Sequence, residues 1–460
     1  LNDLVTIEYL VEQGDWSLRA LLKDRLRLLL HGFGKWRVAG GRVIAADLAA
    51  NLRGRVLVTW RTASPRIDGL VLPVLGAIGL QRSCVLYQQD KVLSQVPPEA
   101  GTVRWSDIIA TGGNEWARGY ERNCPAWSKS IELACEKYKL PRGSACRMKL
   151  NLINSCKSVA GVLGFLKELC PSAIVTEYDR CSVWSCLILA ARSLGIPTFT
   201  LQHGVLDEKS DGFVPILADK MFCWGELSRE GLLRAGAKED QLILGGCPRI
   251  TREAVASDGI PISAADAKRK LGLQPAMPVV MLGTAPYRPT AEKAILELFC
   301  SAIERVPEAQ GVVRLHPSQS PRSYDDFRQR FPKIRFCDNR DATVDEAMTA
   351  ADIVVVQSSG LGSDALVKRR LTAVIDVPPE PLGHGRELIE QAGCPRLATP
   401  EEAAPTIRDM LYDTAYRERL SAARERYVVK FCAYFGSDSA SRIASTVLAV
   451  VNQHLPKREA

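Results

Sequence analysis

The sequence lacks the spacings that build metal and redox sites. Only five histidines are present, too few to spell out a cluster of His ligands. There are fourteen cysteines, yet none forms a C-x-x-C pair, and the closest two are Cys181 and Cys186. They sit singly in apolar segments such as Ser83-Cys84-Val85-Leu86 and Met221-Phe222-Cys223-Trp224. That is the pattern of buried reduced thiols, not of zinc ligands or a disulfide framework. Apolar runs of the ~18 residues that span a membrane are missing; even Leu28-Leu29-Leu30 is closely flanked by Arg27 and Lys35. The start of the chain lacks the charged, apolar and small-residue succession of a signal peptide. The expected location is the cytoplasm or the inner face of the cytoplasmic membrane.

Nucleotide motifs with a pyrophosphate or metal logic are absent too. There is no G-x-x-x-x-G-K-[ST] loop, no G-x-G-x-x-G in a first βα turn, and no Asp-x-Asp pair to hold a divalent cation on a diphosphate. A dense basic stripe with interleaved aromatics is not found, which excludes the usual nucleic-acid footprint. The net charge of +8 is moderate and spread along the chain. It suits a small anionic substrate or an anionic membrane surface.

What is present is the composition of a globular protein, 46% hydrophobic and 24% charged over 460 residues, long enough for two or three domains. Short β-branched strands alternate with amphipathic helices in two successive series, the α/β layer pattern. The first runs from Arg55–Trp60 through Leu242–Leu244, and the second from Val279–Leu282 through Thr372–Ile375. A polar stretch from Ala254 to Pro275 separates them and carries one short amphipathic helix. Helices close the chain, the last over Ser437–Leu455. The expected division is an acceptor-binding domain over 1–250, a nucleotide-sugar-binding domain over 251–435, and a final helix over 436–460 that returns to the first domain. Pro65 and Asp68-Gly69 read as a break before a helix over Leu70–Leu80.

The most informative stretch is Ile353 to Leu366, where four β-branched residues stop at Gln357-Ser358-Ser359-Gly360 and then turn helical. A strand that ends in hydroxyls and glycine at a helix start offers uncovered N–H groups to an anion. Two other strands of the same half end in Gly283-Thr284 and His316-Pro317. Strand C-termini of one parallel sheet face one crevice, so all three clusters can meet one ligand. One histidine and two hydroxyls suit a single phosphate.

His316-Pro317 followed about forty positions later by Ser358-Ser359 resembles the pattern of GT-B glycosyltransferases that use CMP-activated acidic sugars, namely the Kdo transferases of capsule and lipopolysaccharide synthesis and bacterial sialyltransferases. Leu201-Gln202-His203-Gly204-Val205 and Gly246-Cys247-Pro248-Arg249 are similar to segments of capsule polysaccharide and CDP-glycerol transferases. The resemblance spans about Ile174 to Leu371. It implies two Rossmann-like doubly wound domains facing a central cleft, a CMP-sugar as donor substrate with no cofactor or metal, and an oligosaccharide or glycolipid acceptor.

By that resemblance His316 bonds the CMP phosphate and assists its departure, Ser358 and Ser359 hold the same phosphate, and Glu346 takes the ribose hydroxyls. Glu177 and Asp179, two apart at a strand end, are the candidates for general base or nucleophile toward the acceptor. Asp179 is preferred, and His203 at the neighbouring strand end would orient the carboxylate or touch the sugar. Arg180, Arg249 and Arg314 are candidates for the donor's carboxylate, which a guanidinium matches in shape. Asp364 is expected to stabilise its own helix start. The alternatives are a UDP-sugar or CDP-glycerol transferase of the same fold, and a non-catalytic module that binds nucleotide or glycan.

Overall fold

The computed structural model describes residues 51–109, 128–137, 139–140, 144–206, 212–250, 262–378 and 381–454. Leu28-Leu29-Leu30 and most of the polar stretch before Ile262 lie outside them. Strands β1 (Val56–Trp60), β2 (Ser83–Tyr87), β3 (Gly101–Arg104), β4 (Ala173–Thr176), β5 (Thr198–Leu201), β6 (Lys220–Cys223) and β7 (Leu242–Leu244) form a sheet in the order β3-β2-β1-β4-β5-β6-β7. A second sheet has the order β10-β9-β8-β11-β12-β13. Its strands are β8 (Val279–Gly283), β9 (Gln310–Arg314), β10 (Ile334–Cys337), β11 (Ile353–Val356), β12 (Leu371–Ile375) and β13 (Arg396–Leu397).

Every pairing in both sheets is parallel. The chain direction across each sheet reverses once, between β1 and β4 and between β8 and β11. These are the topological switch points where doubly wound sheets open a crevice.

Both sheets are covered on both faces, which is why their strands read as unbroken apolar runs rather than alternating ones. In β1, Leu57 joins a core beneath Ser144–Leu169 and Ser182–Ser193, while Val56, Val58 and Trp60 face the other way. Helix Pro65–Ile78 packs on that second face through Ile67, Leu70, Val71, Val74, Leu75 and Ile78. Each such side chain gains about 1.5–3 kcal/mol on leaving water.

This helix begins five residues before the expected Leu70. Pro65 occupies its first turn, where no N–H is missed, and Ser64 Oγ caps it by accepting from Ile67 N–H at 3.4 Å. Gly69 sits inside the helix because Arg249 leaves it little room, its Cγ lying 3.1 Å from where a Cβ would stand.

The chain crosses back at its end. Ala433 N–H donates to the Trp224 carbonyl at 2.8 Å and Cys247 N–H to the Tyr434 carbonyl at 2.9 Å. Helix Gly436–His454 then buries Ala440, Ile443, Ala444, Val447 and Val451 in the core of the first sheet. The cysteines whose side chains are described are free, and most are buried. Among the described residues no helix is long and apolar enough to cross a membrane.

Candidate functional site

At the β8/β11 switch point the strand ends are built from small residues. Gly283 closes β8 because a Cβ there would stand 2.2 Å from Leu361 Cδ2. Thr284 Oγ1 accepts from His316 N–H at 3.0 Å and thereby ties the end of β8 to the loop after β9. Gln319 Oε1 accepts from the same N–H at 2.9 Å. Ser358, Ser359 and Gly360 are half-buried, and Ser359 Oγ accepts from Leu361 N–H at 3.2 Å. The helix that follows, Leu361–Val367, is short, so its help to an anion comes from local N–H groups and not from a long dipole.

The His316 ring is held in one tautomer. Ser318 N–H donates to Nδ1 at 3.2 Å, and Ser318 Oγ lies 2.8 Å from the same atom. Nδ1 therefore accepts, and in the neutral ring Nε2 carries the proton. Burial, Arg66 and Arg314 hold the imidazole below its ordinary range, so it is neutral near pH 7. Nε2 has no hydrogen-bond partner among the described residues. Tyr287 stands in the same crevice: its buried hydroxyl faces the main chain of Ser358 and Gln357, and its proton has no acceptor among the described residues. Burial pushes this phenol up to about 12.

The β1/β4 switch point is filled differently. Glu177 is buried, its Oε1 accepting from Arg61 N–H at 2.7 Å and Trp184 Nε1–H at 2.9 Å. Oε2 accepts from the Thr59 hydroxyl. The carboxylate thus stitches β1 to β4, and both oxygens are taken. Asp179 does not share its face, contrary to the expectation from their spacing, because the chain turns after Tyr178. Asp179 Oδ2 accepts from Leu217 N–H at 2.7 Å and Ala218 N–H at 3.0 Å, pinning the loop before β6. Its burial pushes the carboxyl up to about 6, against the lowering by those two N–H groups and Arg180.

His203 lies beside these acids, its ring 4.4 Å from that of Tyr178 and 4.8 Å from that of Phe213. Burial, with Arg66 and Arg61, drives it down to about 3. It is a neutral ring in an aromatic stack, and no contact with Glu177 or Asp179 is formed.

The two halves meet where segment Gln202–Leu206 rests on the second sheet's crevice. Val205 Cγ1 lies 3.2 Å from where a Cβ on Gly360 would stand. Arg249 bridges the domains with a two-pronged ion pair to Asp364, 2.8 Å and 3.2 Å. Arg66, at the start of its helix, donates from Nε to the His203 carbonyl at 2.8 Å. Its charge reaches His203 on one side and His316 on the other.

None of the three arginines expected to meet a donor carboxylate is uncommitted. Arg180 donates to the Val214 carbonyl. Arg249 is engaged by Asp364, so Asp364 does more than stabilise its own helix start. Arg314 is buried and donates to the carbonyls of Leu315 and Ala342, at 2.7 Å and 3.2 Å, and to Asn339. Glu346 is buried in a capping box with Thr343 and paired with Lys270 Nζ at 2.7 Å. Burial raises its carboxyl, but Lys270 and Thr343 more than offset this and hold it below the ordinary range. Pro317 is exposed beside His316.

Two groups of residues escaped the reading of the sequence. Arg66 was hidden by taking Pro65 as a break, although Ser64-Pro65 is a helix-start signal. His384, at the start of helix His384–Ala392, carried no motif; it is buried with Nε2 2.6 Å from Ser363 Oγ, which in turn lies 2.8 Å from Tyr427 Oη.

No protein-family model matches the sequence, and a search of curated proteins finds no match. Solved structures do match in fold. A UDP-GlcNAc 2-epimerase from Neisseria meningitidis bound to UDP-GlcNAc superposes with a TM-score of 0.54 at 15% identity, covering 86% of this chain and 99% of that one. Anabaena HepE in complex with UDP-glucose gives 0.52 at 13%, covering 86% and 99%. The glycotransferase of kitacinnamycin gives 0.53 at 13%, covering 87% and 99%. The chain therefore has a GT-B-like fold of two Rossmann-like domains.

Proposed function

We propose that this protein is a glycosyltransferase that takes an acidic sugar, Kdo or a sialic-acid-like ulosonate, from CMP and passes it to a surface polysaccharide or glycolipid acceptor. The observation that carries the reading is the β8/β11 crevice, which holds donors with no protein acceptor among the described residues. His316 Nε2–H, the Tyr287 hydroxyl and the half-buried Ser358 and Ser359 converge on a space suited to one phosphate. A leaving CMP gains negative charge on that phosphate, and fixed donors bind it more tightly in the transition state than before. His316 starts neutral and can donate Nε2–H to the phosphodiester monoanion of a CMP-sugar; as the bond to the sugar breaks the phosphate gains its second negative charge, and that hydrogen bond strengthens with it.

On the acceptor side Asp179 is the stronger base. A carboxyl pushed up to about 6 is better matched to removing a proton near neutral pH than an ordinary one. Glu177, with both oxygens occupied, is assigned the positioning of the strand ends. Glu346 is assigned to the ribose only after release from Lys270, and a membrane-proximal acceptor would place the enzyme at the inner membrane face.

A second reading, a UDP-sugar enzyme, is favoured by the fold neighbours solved with UDP-glucose and UDP-GlcNAc. Thermal shift with CMP, CDP and UDP separates the two, followed by mass spectrometry of donor hydrolysis across CMP-Kdo, CMP-sialic acid and UDP-sugars. Stabilisation by CMP, lost in His316→Ala with the fold retained, is the expected result. Stabilisation by UDP alone would replace the donor assignment, and no hydrolysis of any donor would favour a non-catalytic binding module.

A further inference from the structure

We propose that Arg66 is the specificity-determining residue of the cleft, holding the carboxylate of the donor sugar. The inference rests on the glycosyltransferase reading above and replaces the arginines that the sequence suggested for this task. Those three guanidinium groups are spent on the protein itself. Arg66 is different: its Nε is fixed on the His203 carbonyl, and among the described residues it forms no ion pair. The residue keeps exposed surface although the protein packed around its guanidinium lowers its pKa by burial, and an incoming anion has no ion-pair partner to displace.

The surroundings argue that an anion belongs there. Burial holds the Arg66 guanidinium below its ordinary range, Arg249 adds to that, and Asp364 with the Cys247 thiol opposes it; Asp364 is already held by both prongs of Arg249. One carboxylate thus faces two guanidinium groups, leaving one positive charge uncompensated. His203 and His316, the neighbouring rings, are both neutral and cannot answer it. Arg61 adds a further cation beside Tyr178, its guanidinium 5.9 Å from the ring centre.

Position makes this a sugar contact and not a second phosphate ligand. Arg66 stands on the first domain, against Gly204, where a Cβ would collide with its Nη2. The phosphate donors, in contrast, stand on the second domain. A CMP-ulosonate carries one phosphate and one carboxylate on adjacent parts of the molecule, so it can satisfy both domains at once. A guanidinium with Nε committed still presents its Nη edge to a carboxylate.

The test uses the full chain and the variants Arg66→Gln and Arg66→Lys, with circular dichroism as the check on folding. For Arg66→Gln we expect free CMP to bind within about twofold of wild type, and KM for the CMP-ulosonate to rise by about tenfold to a hundredfold. Arg66→Lys recovers part of that loss. Equal weakening of CMP and CMP-ulosonate would overturn the proposal by making Arg66 a phosphate ligand, and so would no change in either.

Should the wild type bind UDP and not CMP, the donor reading fails on that arm alone. Arg66 is then tested with UDP-glucuronate against UDP-glucose. Arg66→Gln losing a wild-type preference for the glucuronate would support the proposal, and equal use of the two donors by wild type would sink it.

Discussion

At the β1/β4 switch point the carboxylate of Glu177 receives donors from Arg61, Trp184 and Thr59, whereas at β8/β11 the residue in the same place, Gln357, is buried and turned to the Pro381 carbonyl at 2.8 Å, and the turn beyond it carries the half-buried Ser358, Ser359 and Gly360. The two sheets share their strand order around the reversal, so topology alone provides two crevices. The side chains decide which one can receive a ligand. A filled switch point contributes rigidity, and a bare one leaves polar groups for something else to satisfy. This contrast is the ground on which the proposed reading puts the nucleotide in the second domain, and it can be broken at several points.

The largest effect is expected from Gly385→Ala. A Cβ there would stand 2.1 Å from the Gln357 carbonyl and 2.9 Å from Val374 Cγ1, and the first obstacle is main chain, which cannot swing aside. Overpacking costs about 1–3 kcal/mol as a rule and more where, as here, main chain must move. Expression with little folded protein, or a melting temperature lowered by many degrees, is the expected outcome. A near-normal melting curve would mean that the bare crevice is not held in shape by helix His384–Ala392.

Next in size is Glu177→Ala, which sharpens the same contrast from the other side. It leaves the buried Trp184 Nε1–H and the Arg61 N–H without their acceptor, while the Thr59 hydroxyl keeps Thr176 Oγ1 at 2.9 Å. The loss is about 3 kcal/mol in denaturant unfolding, with CMP affinity unchanged in the folded fraction. If instead stability holds and transfer collapses, Glu177 has a chemical role and the filled switch point is part of the reacting centre.

Asp179 gives a smaller and pH-dependent effect. Its folded value of about 6 lies above the ordinary 3.8, so between about pH 4 and 6 the folded chain keeps a proton that the unfolded chain has lost. Its contribution to stability is present below pH 4, falls as pH rises to about 6, and is flat beyond. The amplitude is about 2–3 kcal/mol. His203 and His384, lowered to about 3 and about 4, act in the opposite sense, since the unfolded chain binds their protons first as pH falls. Comparing wild type with Asp179→Asn across pH 4 to 7 isolates the aspartate. The stability advantage of wild type should shrink as pH rises through this window, and parallel curves would remove the perturbed carboxyl from the account.

Much of the scaffold was readable because both sheets are buried on both faces. Runs such as Ile353-Val354-Val355-Val356 can be little else than central strands, and their ends located the crevice. The start of helix Pro65–Ile78 was misread because Pro and Gly punctuate turns and first helical turns alike. Strand β13 and helix His384–Ala392 went unseen, the one having two residues and the other a polar composition. In the candidate site, the positions of His316, Ser358 and Ser359 at strand ends followed from local pattern. The engagement of Arg249 by Asp364, 115 positions away, did not, because nothing in local sequence reports a partner on another domain. Arg180 and Arg314 were lost to main-chain carbonyls for the same reason: a guanidinium's commitments are set by tertiary structure.

The smallest effect falls on the bare crevice itself, in the double variant Ser358→Ala/Ser359→Ala. Among the described residues these hydroxyls make one hydrogen bond within the fold, which Ser359 accepts from Leu361 N–H at 3.2 Å, so stability should fall by only about 0.5–1 kcal/mol. Nucleotide affinity should fall further than that, by about tenfold, since two hydroxyls are removed from a phosphate that other donors still hold. Isothermal titration with CMP beside a melting curve reads both quantities on one preparation. An affinity loss without a matching stability loss marks the hydroxyls as ligand contacts. The reverse pattern would make the second switch point as self-contained as the first, and the difference between the two crevices would then lie in shape alone.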